Sequence, residues 1–355
     1  MRRSTVIDKN LCMSRFLSFR FVQEENLDFY PGLKHSVWKR PDASHLHPVV
    51  GADDVDAILR DAIPQFAAMG RTAVFLSGGI DSAILASYLP SGTKAYTFKC
   101  VADGAVSEAE QAAKYAAAYG LDHEIIEMHW SDFEELTPEL LKMDGVPFHS
   151  IEVQLLKAAR HAKSAGFDRL ILGDGADTLF GGLDGFLSKD RTLEEFRDRF
   201  AYVKPEIALK TPVDVSDVYR RFLREDGTID AEGYVRDVFA IESTCSYMHA
   251  FSSTGLEILA PYCMMRLAHP LDIARIRNGE PKYILRELFA QRYPDIEIPK
   301  KIPLPRATDQ WFADWNGPVR DEFIPGCHQN MTGDQKWLVW CLEKFLNAYD
   351  NGELT

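Results

Sequence analysis

Apolar residues recur along this chain with two different periods, and the switch between them organises it. Val55, Ile58, Leu59, Ile63, Phe66 and Ala67 repeat at helical spacing and predict an amphipathic helix over 52–69. A solid apolar run from Thr72 to Leu76 follows and reads as a buried strand. A short polar loop interrupts it, and helical spacing resumes at Ala83 with Ile84, Leu85, Tyr88 and Leu89. This alternation continues to about 182. It predicts strands near 72–76, 94–99, 123–128 and 169–172, and helices near 81–89, 107–119, 132–142 and 150–165. Beyond 185 the strand signal fades. Leu193–Tyr202, Val215–Leu223, Ala231–Met248, Lys282–Gln291 and Gln335–Tyr349 read as helices. Strands alternating with helices imply α/β architecture: a doubly wound parallel sheet covered on both faces, with a mainly helical C-terminal part. We divide the chain into an N-terminal arm (1–50), an α/β core (51–185) and the helical part (186–355). The charged, proline-containing stretch 186–212 is expected to be a mobile insert over the site.

Bulk properties narrow the partners. The 355 residues carry a formal charge of −13, with 46% hydrophobic and 26% charged residues. An acidic chain lacks the basic surface needed to grip nucleic-acid phosphates, so no nucleic-acid partner is expected. No apolar run approaches membrane-spanning length and the N-terminus has no signal-peptide core, so a cytoplasmic protein without membrane contact is expected. The six cysteines stand far apart with no Cys-x-x-Cys, which argues against zinc or redox-pair sites and for free thiols.

Two polar loops stand out because each follows a buried run. The first is Ser77-Gly78-Gly79-Ile80-Asp81-Ser82. Glycines there let the backbone approach an anion, and the loop N–H groups and helix start would point at it. Asp81 would repel a phosphate, unless it holds a Mg²⁺ that bridges protein and phosphates. No Gly-Lys-Ser/Thr follows, which excludes a Walker-type loop. The second loop, Gly173-Asp174-Gly175-Ala176-Asp177, leaves the run Arg169–Leu172. Ligands of open α/β sheets bind at the carboxyl ends of strands, so Asp81 and Asp177 are expected to meet at one Mg²⁺–pyrophosphate. A plain helix cap for the first loop, and a calcium loop or simple turn for the second, are the bland alternatives.

The first motif resembles the pyrophosphate loop (PP-loop) of ATP pyrophosphatases, whose fold is the adenine nucleotide alpha hydrolase type. Together with Gly-Asp-Gly-Ala-Asp-Thr-Leu-Phe-Gly-Gly at 173–182, it is similar to the synthetase domain of the asparagine synthetase family, relatives of which include β-lactam synthetase. Thr178 stands where that family often has an acid. Tyr96-Thr97-Phe98-Lys99-Cys100 resembles the strand that meets the adenine, and Ser107-Glu108-Ala109-Glu110 reads as a capping pattern with Ser107 at the N-cap. Leu259 replaces the family's Arg in the Glu-x-Arg-x-Pro-Phe stretch. Pro281-Lys282-Tyr283-Ile284-Leu285-Arg286 matches its Lys-x-x-Leu-Arg helix, and Lys300-Lys301 with Trp311 match its late lysine.

The resemblance implies an ATP and pyrophosphate site at Leu76, Ser77, Gly78, Gly79, Ile80, Asp81, Ser82, Cys100, Leu172 and Gly173, with Mg²⁺ on Asp81 and Asp177. It implies catalytic roles for Lys301 at the α-phosphate, Asp174 near the incoming amine, and Lys282. Lys300 is a rival to Lys301, and a solvated loop is the alternative for both; a surface lysine is the alternative for Lys282. His149 falls in a segment that lines the substrate pocket in the family, with a packed histidine as its alternative. The implied reaction adenylates a small-molecule or peptide carboxylate and transfers the acyl group to ammonia or an amine. A lactam-type cyclase, an amide ligase of secondary-metabolite or peptide modification, or a non-catalytic ATP-binding subunit remain open. A family glutaminase domain starts with Cys after Met1; here residue 2 is Arg and the first cysteine is Cys12, so a synthetase half standing alone is expected, served by free ammonia, an amine or a separate glutaminase or pathway partner. A homodimer is compatible with the sequence.

Overall fold

The computed structural model describes residues 5–300, 302 and 304–354. Its centre is a five-stranded parallel sheet of β1 (Thr72–Phe75), β2 (Lys94–Cys100), β3 (Asp122–Met128), β4 (Arg169–Ile171) and β5 (Glu257–Leu259), in the order β3–β2–β1–β4–β5. Side chains alternate across the sheet. Ala73 and Phe75 of β1 enter one core together with Tyr96, Leu170 and Leu172, while Val74 and Leu76 enter a second core with Ala95 and Ile171. Both faces are therefore covered, which is why β1 is buried at every position and apolar from Ala73 to Phe75. The α/β expectation holds.

The helices that fill these cores are α1 (Lys9–Phe19), α2 (Ala52–Ala68), α3 (Ile80–Ala86), α4 (Ala109–Ala118), α5 (Trp130–Asp144), α6 (Ile151–Ser164), α7 (Ala240–Ser252), α8 (Tyr283–Arg292) and α9 (Gly333–Asp350). Helices α2, α3, α4 and α8 pack on the Val74 face; α1, α5, α6 and α9 pack on the Ala73 face. The chain runs outward from β1 through β2 to β3, then returns to lay β4 on the other side of β1. That reversal puts the sheet's switch point at the carboxyl ends of β1 and β4, where ligands of such sheets bind.

Three elements differ from the periodicity reading. Strand β5 comes from the helical part and is three residues long, too short to carry a period. Helix α1 lies in the N-terminal arm, started by Asp8, whose carboxylate accepts the Leu11 N–H at 2.9 Å. Its buried Arg15 forks onto Asp217, with N–O distances of 2.8 and 2.6 Å. The stretch 186–212 is a packed element: Phe196, Val203 and Leu209 are buried, and Phe186 stacks on Phe200 at 3.9 Å between ring centroids. Among the described residues no helix is long and apolar enough to cross a membrane.

Candidate active site

The first loop, residues 76–79, joins β1 to α3. Leu76 continues the strand: its N–H donates to the Tyr96 carbonyl at 2.8 Å, and its carbonyl accepts the Thr97 hydroxyl at 2.6 Å. The loop is then closed on itself. Ser77 N–H donates to Ser82 Oγ at 2.9 Å, Gly79 N–H donates to Ser77 Oγ at 3.1 Å, and the two serine hydroxyls lie 3.0 Å apart. Gly78 N–H donates to Glu108 Oε2 at 3.0 Å. Ile80 is buried at the start of α3.

The second loop leaves β4 through Leu172, whose N–H donates to the Leu259 carbonyl at 3.0 Å. Gly173 lies against the first loop: a Cβ there would come 3.4 Å from Ser82 N and 3.5 Å from the Asp81 Cβ. Gly175 takes φ = 90°, and a Cβ on it would come 2.8 Å from Cys263 Sγ, so glycine is required there on both counts. Asp177 then sits in the first turn of the short helix Ala176–Leu179.

These two loops bring Asp81 and Asp177 to one point, and a lysine occupies it. Lys282 Nζ lies 2.5 Å from Asp81 Oδ2 and 2.6 Å from Asp177 Oδ1. The Lys282 side chain is 9% exposed, against 19% for Asp81 and 37% for Asp177. Burial alone would lower its ammonium; the charges and hydrogen bonds of Asp81 and Asp177 outweigh this and hold it above the usual lysine range. Its backbone is left-handed, φ = 55°, which a non-glycine residue keeps only where its surroundings over-determine it. A Cβ on Gly182 would overlap both Asp177 Oδ1 and Lys282 Cε, so the position is tightly enclosed. Two carboxylates aimed at one ammonium form a cation cradle, and that all-oxygen donor pair fits Mg²⁺. Tyr262 steadies the loop from behind, donating to the Asp81 carbonyl at 3.0 Å.

Asp174 faces a different set of groups. Ser243 Oγ donates to Oδ1 at 3.0 Å, Thr244 Oγ1 donates to Oδ2 at 3.1 Å, and the Cys263 thiol lies 3.5 Å from Oδ2. Burial raises the Asp174 carboxyl and these hydrogen bonds oppose the rise. The partly buried Tyr247 phenol is raised by desolvation and then by the charges of Asp174, Asp177, Cys263 and Asp81. Ser243, Thr244 and Tyr247 lie on α7 and were not singled out from sequence; polar residues are scattered along that helix, so no pattern marks these three.

The other anticipated residues are spread more widely. Cys100 ends β2, buried, with Gln154 Nε2 3.0 Å from its sulfur and the Pro305 carbonyl 3.5 Å away. Lys300 is exposed, and Lys301 lies outside the described residues. His149 is a packed histidine: Nε2 lies 3.1 Å from Arg20 Nη1 and 3.3 Å from Arg306 Nη1. Burial and these two arginines push it well below the usual range, so it is neutral and accepts at Nε2. Ser107 is one position before the N-cap, and the capping pattern has another purpose: Glu108 turns its carboxylate to Gly78 instead of to its own helix.

The profile of the asparagine synthase family matches residues 54–242, more than half of the chain and spanning both glycine loops. The chain belongs to the asparagine synthase family. No curated protein matches it. Among solved structures this family member is similar to the U34-tRNA thiolase NcsA from Methanococcus maripaludis with its 4Fe–4S cluster, at 13% identity, covering 70% of this chain and 82% of that one, with a TM-score of 0.24. It is also similar to NMN synthetase from Francisella tularensis, at 15% identity, covering 71% and 96%, with a TM-score of 0.26.

In this asparagine synthase family protein, Glu108 gives the loop a pH dependence. Burial raises its carboxyl to about 7, opposed by the Gly78 N–H. The folded state therefore holds this proton more tightly than the unfolded chain, whose carboxyl titrates near 4.5. The Glu108 contribution to stability is fully present below about pH 4.5 and is lost as pH rises through about 7, on the order of 3 kcal/mol in all. Glu108→Gln keeps an acceptor for Gly78 without the charge. Its melting temperature relative to wild type is expected to rise between pH 5 and pH 8. A constant difference across that range would remove Glu108 as the titrating group.

Proposed function

We propose that this asparagine synthase family protein is an ATP-dependent, AMP-forming ligase. It activates a substrate carboxylate with release of pyrophosphate and passes the acyl group to ammonia or an amine. The reading is carried by the meeting of Asp81 and Asp177, from two separate glycine loops, at one cationic centre beside the sheet's switch point. Acids gathered where a polyphosphate must bind are useful when a cation stands between them and the phosphates. Bound by Asp81 and Asp177, Mg²⁺ would offset the charge that builds on the leaving pyrophosphate.

The chain's own groups position the rest. The Ser77 and Ser82 hydroxyls, now bonded to each other, are donors that a pyrophosphate oxygen can recruit. Lys282 adds a fixed positive charge beside the leaving group. Lys301 is the candidate at the α-phosphate, where charge peaks as the carboxylate oxygen attacks. Asp174, oriented by Ser243 and Thr244, is suited to align the amine and take its proton, since a buried carboxyl is a stronger base than a solvated one. Positioning and charge stabilisation account for the reaction; no covalent enzyme intermediate is needed.

ATP–pyrophosphate exchange over a panel of carboxylic acids tests this. Exchange that requires a carboxylate is the expected result. ATP binding without exchange on any acid would instead make the chain a nucleotide-binding subunit.

A further inference from the structure

A second group of chemically able side chains lies away from both glycine loops. Asp144 ends α5, Glu152 stands in the first turn of α6, and His249 lies in the last turn of α7. One oxygen or nitrogen from each lies within 4.8 Å of the other two. Asp144 and Glu152 are 5% and 2% exposed, and Asp144 Oδ2 and Glu152 Oε2 are buried without a hydrogen-bond partner. Such orphaned buried oxygens are costly unless a cation or proton meets them.

The imidazole completes the arrangement. His249 Nε2–H donates to the Ser36 carbonyl at 3.1 Å. A carbonyl only accepts, so Nε2 carries the proton, and in the neutral ring Nδ1 presents a bare lone pair. Nδ1 lies 3.8 Å from Asp144 Oδ2 and 3.9 Å from Glu152 Oε2. Two ligands each about 2.1 Å from one ion sit roughly 3.4–4.2 Å apart as their angle opens from tetrahedral to linear. Both separations fall in that range. A ring nitrogen anchored on a backbone carbonyl, with the other turned to a centre, is also how metal-bound histidines are oriented. The other Glu152 oxygen, Oε1, already accepts the His149 N–H at 3.3 Å, which leaves Oε2 for the centre.

We propose that Asp144, Glu152 and His249 form a divalent transition-metal site, separate from the Mg²⁺ position of the ligase reading. One imidazole with two carboxylates is a mixed nitrogen–oxygen set that favours Zn²⁺ or a neighbouring first-row ion over Mg²⁺. The ion would tie the ends of α5, α6 and α7 to the arm segment at Ser36. Helix α7 also carries Ser243 and Thr244, so the ion's role is to fix the helix that orients Asp174.

The test uses the full chain, freed of metal by chelator dialysis and titrated calorimetrically with Zn²⁺ in the absence of ATP. One equivalent is expected to bind and to raise the melting temperature. Asp81→Asn should bind it unchanged, which separates this site from the glycine loops. His249→Ala and Glu152→Gln should each weaken binding by at least about tenfold. If Glu152→Gln does not fold, His249→Ala still decides, because that ring is partly exposed and outside the core. Absence of stoichiometric binding in the wild type, or equal binding in His249→Ala, would overturn the proposal and leave a proton shared by Asp144 and Glu152 as the occupant.

Discussion

Asp81→Asn and Asp177→Asn should each lower AMP formation by at least about 10²-fold, the scale of one lost charge-stabilising contact in an enclosed site. Asparagine preserves the volume of each side chain and removes one charge from the cradle. The site then has one carboxylate for a cation that must offset a polyphosphate. The two variants should differ in stability, and in a stated order. Lys282 is buried and keeps its second carboxylate in either variant, so the loss falls short of that for a stranded buried charge and is on the order of 1–3 kcal/mol. The Asp81 side chain is 19% exposed and that of Asp177 is 37% exposed, so water replaces the lost partner more readily at Asp177. Asp81→Asn should therefore unfold at lower urea concentration than Asp177→Asn. AMP formation near the wild-type rate in either variant, with saturating ATP and Mg²⁺, would sink the cation assignment.

What could be read from the chain follows the range of the interactions involved. The β1 run and both glycine loops are local: burial on two faces writes itself as Thr72–Leu76, and a ligand loop writes itself as glycines and acids after such a run. Helix α1 was not legible because Ser14, Arg15 and Ser18 interrupt its apolar pattern. Those polar groups are tolerated in the core only through distant partners, as when Arg15 meets Asp217. The same holds in the site. Lys282 follows Asp81 by 201 residues, and nothing in Pro-Lys-Tyr-Ile-Leu-Arg says that its ammonium will stand between two carboxylates. Glu108 read as part of a helix start because the helix does begin there; its carboxylate is diverted to Gly78, a partner on another element. Asp144, Glu152 and His249 come from three helices and share no motif. Pairings of this kind become visible only once the chain is folded.

Lys282→Met should separate the two roles that the ammonium combines. Methionine fills most of the same volume without charge, so Asp81 and Asp177 would lose the Lys282 ammonium that both now contact. Removing that competing positive charge makes the cradle a better divalent-cation site than in the wild type. In the absence of ATP, Mg²⁺ should therefore raise the melting temperature of Lys282→Met more than that of the wild type, while Asp81→Asn should respond least. Catalysis should move the other way. The leaving pyrophosphate loses a fixed positive charge, and kcat is expected to fall by about 10²-fold or more. Lys282→Arg should not rescue it. The space around the side chain is closed by Gly182, where even a Cβ would overlap the Lys282 chain, and the broad guanidinium cannot take up the point position of an ammonium. A Lys282→Met protein with wild-type kcat would make the lysine a structural counter-ion alone. A Lys282→Met protein whose melting temperature ignores Mg²⁺ would mean that Asp81 and Asp177 do not form the cation cradle at all.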